Sequence, residues 1–242
     1  MDIEILQLIE GAKQAVGLAV VIDVFRAFST ACYAVAQGAE RIIPVGDLDL
    51  AYGLKKENPH YLLIGERKGW RPSGFDYGNS PSEIEAVDFS RRTVVQTTSA
   101  GTQGIANALR ADKIITGSFV NAPAIVDYIR SLAPQQISLV CMGREALEPS
   151  DEDTLCACYI RDSLLGRTPD FEPIRSHLKG YQSAAKFFDP EKTWAPERDF
   201  ELCMDIGRFD FVLVAQIAED GIRYLRKMEV RRDAADRDHV SS

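Results

Sequence analysis

An α/β fold, three layers deep with a mixed, mainly parallel sheet in the middle, is predicted by three observations. Apolar, β-branched runs recur along the chain, helical stretches separate them, and several of the runs are apolar without alternation. Strands covered on both faces read as continuous apolar runs, whereas half-exposed strands alternate. Strand and helix in alternation specify parallel strands joined by crossover helices.

The strand candidates are GLAVVID (17–23), RIIPV (41–45), YLLIG (61–65), TVVQTT (93–98), KIITG (113–117) and ISLVCM (137–142). Helices are predicted between them over 28–37, 48–56, 81–87, 102–109 and 121–132. Ser80, Pro81 and Glu83 carry the cap, first-turn proline and third-position acid of a helix start. Ser150 precedes DEDTLCACYIRDSLLG, whose three acids suit a positive helix N-terminus and whose Gly166 marks the stop. On that argument Glu152 and Asp153 are helix-dipole partners. A further helix is predicted over 197–205, after a proline-containing stretch. The end of the chain changes character: FDFVLVAQI (209–217) and GIRYLRKMEV (221–230), separated by AEDG, predict a β-hairpin and hence a mixed sheet. One domain is expected over 1–242, with 167–242 as an alternative subdomain.

The composition narrows the function classes. A formal charge of −8 opposes a nucleic-acid footprint, so an anionic substrate must be met locally. Arg226 to Arg232 is a basic run followed at once by Asp233, Asp236 and Asp238, the pattern of a solvated tail. The start, MDIEILQLIEG, lacks the features of a secretory signal, and apolar runs such as GLAVVI are far shorter than a membrane span. A cytoplasmic protein with no membrane partner is expected, and a homo-oligomer is compatible with the sequence. The odd count of five cysteines forms no disulfide framework, and buried thiols are expected.

In open α/β sheets, ligands bind beyond the carboxyl ends of strands. Here those ends carry DVFRAFST, GERKG, TTSAGT, GSFVNA and MGRE, and parallel strands would gather them at one rim. Asp23 closes its strand, where a buried carboxylate needs a partner or a metal. An Asp23–Arg26 pair and a magnesium-ligand role are both open. Glu66 is placed alike, and two such carboxylates can share one hard cation. Asp76 and Asn79, in the long loop 65–81, can add oxygens or make Asx-turns. The small residues of TTSAGT (97–102) suit either a phosphate cradle or a simple turn. Arg26, Arg67, Lys68, Arg71 and Arg144 are candidate anion holders. A Ser-His-Asp elbow, a Walker loop and a GxGxxG fingerprint are absent. Phe25 stands two places after Asp23, where an aspartyl-phosphate enzyme has its second Asp. Metal-assisted attack by water needs none of these.

Taken together, VVIDVFRAFST, AQGAERIIPV, GERKGWRPSGFDYGNSP, VVQTTSAGT, GSFVNA and VCMGRE, in this order, resemble the 2-phosphosulfolactate phosphatase family, over residues 17 to about 160. The resemblance implies a three-layer α/β fold and a magnesium-dependent phosphatase that converts 2-phosphosulfolactate to sulfolactate, a step of coenzyme M synthesis. It also implies a site drawn from Asp23, Arg26, Glu66, Arg67, Asp76, Asn79, Thr97, Thr98, Gly101, Thr102, Ser118 and Asn121. Phe25, Phe28 and Ser99-Ala100 depart from the family pattern. The resulting expectation is that Asp23, Glu66 and Asp76 hold Mg2+, and that Arg26 and the TTSAGT backbone, Ser99 included, hold the phosphate. Arg67, Lys68 or Arg144 would take a second anionic group. The alternatives are a phosphatase of another phosphorylated hydroxy acid or sugar acid, and a non-catalytic binder of small anions.

Overall fold

The computed structural model describes residues 1–219 and 221–230. The chain begins β1 (Asp2–Gln7), α1 (Leu8–Gln14), β2 (Gly17–Ile22), α2 (Ala27–Ala36), β3 (Arg41–Pro44), α3 (Leu48–Glu57), β4 (Leu62–Gly65) and α4 (Pro81–Ile84). It continues β5 (Thr93–Thr97), α5 (Gly101–Asn107), β6 (Ala111–Gly117), α6 (Ala122–Leu132), β7 (Gln136–Cys141) and α7 (Asp151–Leu164). It closes with α8 (Phe171–Lys179), α9 (Glu197–Cys203), β8 (Phe211–Ile217) and β9 (Arg223–Glu229). All six internal strand candidates, the hairpin and the anticipated helices form within a few residues of the expected bounds.

Three elements are additions to the sequence expectation. β1 pairs parallel with β7 at a sheet edge, where a short strand needs only one covered face. α1 follows it directly. α8 buries only Leu178, so little apolar periodicity announces it. Arg231, Arg232, Asp233, Asp236 and Asp238 of the anticipated tail lie outside the described residues.

The nine strands form one sheet in the order β1-β7-β2-β6-β8-β9-β3-β5-β4. Alternate residues of its strands enter opposite layers. Ala19 and Val21 of β2 meet α1, α2 and α5, while Leu18, Val20 and Ile22 meet α6 and α7. In the same way Val94 of β5 joins the first cluster, and Val95 joins a third beneath α3 with Ala51 and Leu54. Each such Val, Ile or Leu contributes about 1.5–3 kcal/mol of apolar burial, which explains why these strands read as unbroken apolar runs.

The topology carries one departure that matters for the site. β6 pairs antiparallel with β8, β8 with β9, and β9 with β3, so the two parallel groups run in opposite senses along the ladder. Their carboxyl ends meet nonetheless, because the sheet twists. Five steps lead from β2 to β5, and at about 20–25° per step the strands turn through roughly 100–125°. The result is close approach. A Cβ placed on Gly101, just after β5, would lie 2.9 Å from Asp23 Oδ2, just after β2. One on Gly104 would lie 2.4 Å from Met142 Sδ, just after β7.

Candidate active site

Three carboxylates converge where these loops meet. Asp23, 7% exposed, accepts the Ala27 N–H on Oδ1 at 3.1 Å, and so orients the entry to α2. Glu66, 8% exposed, accepts the Ser99 N–H on Oε1 at 2.6 Å and the Gly69 N–H on Oε2 at 2.7 Å. It thereby stitches the loop after β4 to the loop after β5. Asp153, from the first turn of α7, accepts the Val24 N–H on Oδ1 and the Gly143 N–H on Oδ2, both at 2.8 Å. That third acid ties the loop after β2 to the loop after β7.

Burial and crowding raise the proton affinity of Asp23 and Asp153. Burial pushes Asp23 up from 3.8 to about 6, and the Glu66 charge adds to it; the Ala27 N–H and the Lys186 ammonium pull the other way. Asp153 is raised well above the usual carboxylate range, by burial first and then by the charges of Asp23 and Glu152. Lys186 is lowered by burial and by Arg26, while Glu152 and Asp23 counteract this. Its Nζ donates to the Phe25 carbonyl at 3.2 Å. Lys186 is half-buried, in a concave wall where protein surrounds it densely while its tip still reaches the cavity.

The cavity measures about 490 Å³, within the range of small-molecule sites. Asp23, Glu66 and Asp153 line it together with Glu152, Arg26 and Lys186. Asn79 and Ser150 add two buried oxygens, Oδ1 and Oγ, that have no hydrogen-bond partner in the protein. Ser150 stands before α7 as anticipated but makes no side-chain cap.

Arg26 does not pair with Asp23. Its Nη1 donates to Asp199 Oδ2 at 2.6 Å and to the Trp194 carbonyl at 2.8 Å. Asp199 is fully buried and also accepts from Ser80 Oγ, Ser82 N and Ser82 Oγ. That network anchors Arg26 and leaves its other donors at the cavity.

The sequence candidates divide by position. Asp23, Arg26, Glu66, Lys68, Asn79, Ser99 and Arg144 line the cavity, and Gly101 abuts Asp23. The others are committed elsewhere. Arg67 donates to the carbonyls of Glu66 and Gly46 and to Thr97 Oγ1, so it braces the loop from behind. Asp76 accepts the Leu63 N–H at 2.8 Å and faces Lys55 at 3.4 Å, outside the cavity lining. Thr98 and Thr102 bond each other, N–H to Oγ1 in both directions at 3.2 Å. Ser118 and Asn121 form a capping box before α6. Arg144 is largely exposed and faces Glu148 at 3.8 Å.

Two amides of TTSAGT are committed to acids. The Ser99 and Gly101 N–H groups are directed at Glu66 and Asp23, so the loop orients acids. Glu152 and Asp153 also exceed their expected role as dipole partners, since both are buried and face the cavity. The segment 181–194, which forms a whole wall with Lys186 and Trp194, gave no sequence signal. Its residues sit in an irregular stretch far along the chain from any strand end.

The donor chemistry suits a hard cation. Among the described residues no group of three or more His, Cys, Asp or Glu side chains is close enough together to hold a metal ion. Magnesium requires less: one or two carboxylates, with water and substrate phosphate completing its shell. Asp23 and Glu66 are the two carboxylates that could supply it, with Asp153 adding to the negative potential beside them.

Comparison with known proteins gives the family of the chain. The model of the family described as 2-phosphosulpholactate phosphatase matches residues 3–217. A Thermotoga petrophila protein is 45% identical over 196 residues, 76% of this chain and 83% of its own. A Bacillus subtilis protein is 33% identical over 205 residues, 84% and 87% of the two chains. A Caldicellulosiruptor saccharolyticus protein is 41% identical over 156 residues, 63% of this chain and 64% of its own. All three bear the name "Probable 2-phosphosulfolactate phosphatase". With nearly the whole described fold inside the matched span, the chain belongs to the 2-phosphosulpholactate phosphatase family and is a phosphoric monoester hydrolase.

Proposed function

We propose that the chain hydrolyses 2-phosphosulfolactate to sulfolactate with magnesium, in the cytoplasm, as a step of the coenzyme M biosynthesis type. The observation that carries the magnesium assignment is the meeting of Asp23 and Glu66 across the Ser99–Gly101 loop, beside Asp153, with no Lys or Arg among the described residues at ion-pair distance from them. Asp23 and Glu66 would hold the ion. When bound, magnesium neutralises phosphate charge and lowers the pKa of a water for attack at phosphorus.

The chain's own groups prepare that step. Arg26 commits Nη1 to Asp199 and Trp194, which leaves its other donors for phosphate oxygens. Asp153 holds the loops after β2 and β7 in register through Val24 and Gly143. Burial and mutual repulsion favour a proton on Asp23 or Asp153, one that a bound divalent ion would displace. The Gly69 and Ser99 N–H groups fix the Glu66 carboxylate, so little reorganisation is needed on binding.

Phosphate release from 2-phosphosulfolactate and 2-phospholactate, with magnesium and with a chelator, tests this. Release is expected with magnesium only, and a fall of about a hundredfold or more in Asp23→Asn and Glu66→Gln. Near-normal turnover in both variants removes the metal assignment. Preference for another phosphorylated hydroxy acid or sugar acid reassigns the substrate, and tight binding without release assigns a small-anion binder instead.

A further inference from the structure

The cavity lining mixes acids and bases from several loops, and the segment 181–194 adds Lys186 and Lys192 to it and no acid. Lys192 faces Asp189 at 3.3 Å. Lys186 has no carboxylate within ion-pair distance among the described residues, although it sits in a chain of net charge −8. Its one hydrogen bond, to the Phe25 carbonyl, uses one of three ammonium donors. The Phe25 and Phe187 rings hold the cation in place, with centroids 5.9 and 5.1 Å from Nζ.

We propose that Lys186 is the specificity residue of the site, and that it binds the second acid group, sulfonate or carboxylate, of a phosphate ester whose phosphate lies at Asp23 and Glu66. The proposal rests on the phosphatase reading and deepens it by naming the residue that takes an acid group of the substrate other than its phosphate. Two features support it. An ammonium with free donors can donate charge-assisted hydrogen bonds to an anion. With a cation held by Asp23 and Glu66, the phosphate would lie there, and Lys186 would be left for the other charge. Lys68 and Arg144, the holders anticipated from the sequence, are more exposed, and solvent weakens their hold on an anion.

The test compares Lys186→Gln and Lys186→Arg with the parent protein on two substrates: 2-phosphosulfolactate, and isopropyl phosphate, which has no second anion. The ratio of kcat/KM for the first to that for the second should fall about ten- to a hundredfold in Lys186→Gln, chiefly through KM, and be largely retained in Lys186→Arg. Equal losses on both substrates would show that Lys186 serves the phosphate or the fold and would overturn the proposal. Binding of 3-sulfolactate, measured by calorimetry on the same proteins, separates this idea from the phosphatase reading. Sulfolactate binding that weakens tenfold in Lys186→Gln, without any phosphate release by the parent protein, sinks the phosphatase reading alone. Unchanged binding in that variant, or none in the parent protein, sinks the Lys186 proposal.

Discussion

Asp23→Asn should make the metal-free protein more stable at neutral pH while destroying its activity. The folded chain holds Asp23 at about 6 against an ordinary 3.8, mainly through burial and the Glu66 charge. A difference of roughly 2 units corresponds to about 3 kcal/mol at 1.36 kcal/mol per unit. The sign follows from proton binding. Between pH 3.8 and about 6 the folded chain keeps a proton that the unfolded chain has released, so stability falls as pH rises through this window. Below 3.8 the contribution is intact, and above about 6 the whole penalty applies. An Asn retains one acceptor for the Ala27 N–H but turns an amide toward the donor on its other side, at a cost of about 1 kcal/mol. The net gain is about 2 kcal/mol, or about 4–8 °C in Tm for a chain of this size. Urea unfolding at pH 5, 6, 7 and 8 in chelator measures it directly. The advantage of the variant should grow from pH 5 to 7 and then level off, and magnesium should raise the Tm of the parent protein but not of the variant. A variant that is no more stable at pH 8, or equally shifted at every pH, would refute the claim that a buried, repelled carboxylate is stored here.

Other consequences can be measured in the same preparations. The acidic limb of the pH–activity profile should lie near 6 at low magnesium and move to lower pH as magnesium rises, because ion binding needs ionised Asp23; a limb indifferent to magnesium contradicts this. Arg26→Met should cost about 3 kcal/mol or more in urea unfolding, since it strands the fully buried Asp199 without its cation. A loss under about 1 kcal/mol would mean that Ser80 and Ser82 suffice. Gly65→Ala should cost about 2 kcal/mol or more, because its Cβ would stand 2.0 Å from the Thr97 carbonyl oxygen, where two strands have no room to part. Full stability of that variant would show that β4 and β5 can separate locally. Ser150→Ala should leave stability unchanged or slightly raised in urea unfolding, because its buried hydroxyl makes no internal bond; a loss above about 1 kcal/mol would show a partner for that hydroxyl.

The strands and most helices of this protein were legible because their signals are local. An unbroken run such as LAVVI must be covered on both faces, and Ser80-Pro81 starts a helix wherever it is set. Asp23 and Glu66 were legible as well: an acid at the end of a buried strand stands out against its neighbours. Other features depended on distance in the folded chain. That the loops after β2 and β4 meet follows from the accumulated twist of the sheet between opposed strand groups, a property of the whole sheet. Arg26 found its partner 173 residues away in Asp199, and Arg67 and Asp76, alike in sequence to their cavity-lining neighbours, turned to brace backbone. Asp153 and Lys186 become site residues only because α7 and the 181–194 wall pack over the same strand ends. The sequence by itself determined which segments are strands and which acids end them, since hydrophobic period and burial cost act residue by residue. Only the tertiary structure decided which charges face one another, because Coulomb repulsion and hydrogen bonds act between atoms brought close by the fold.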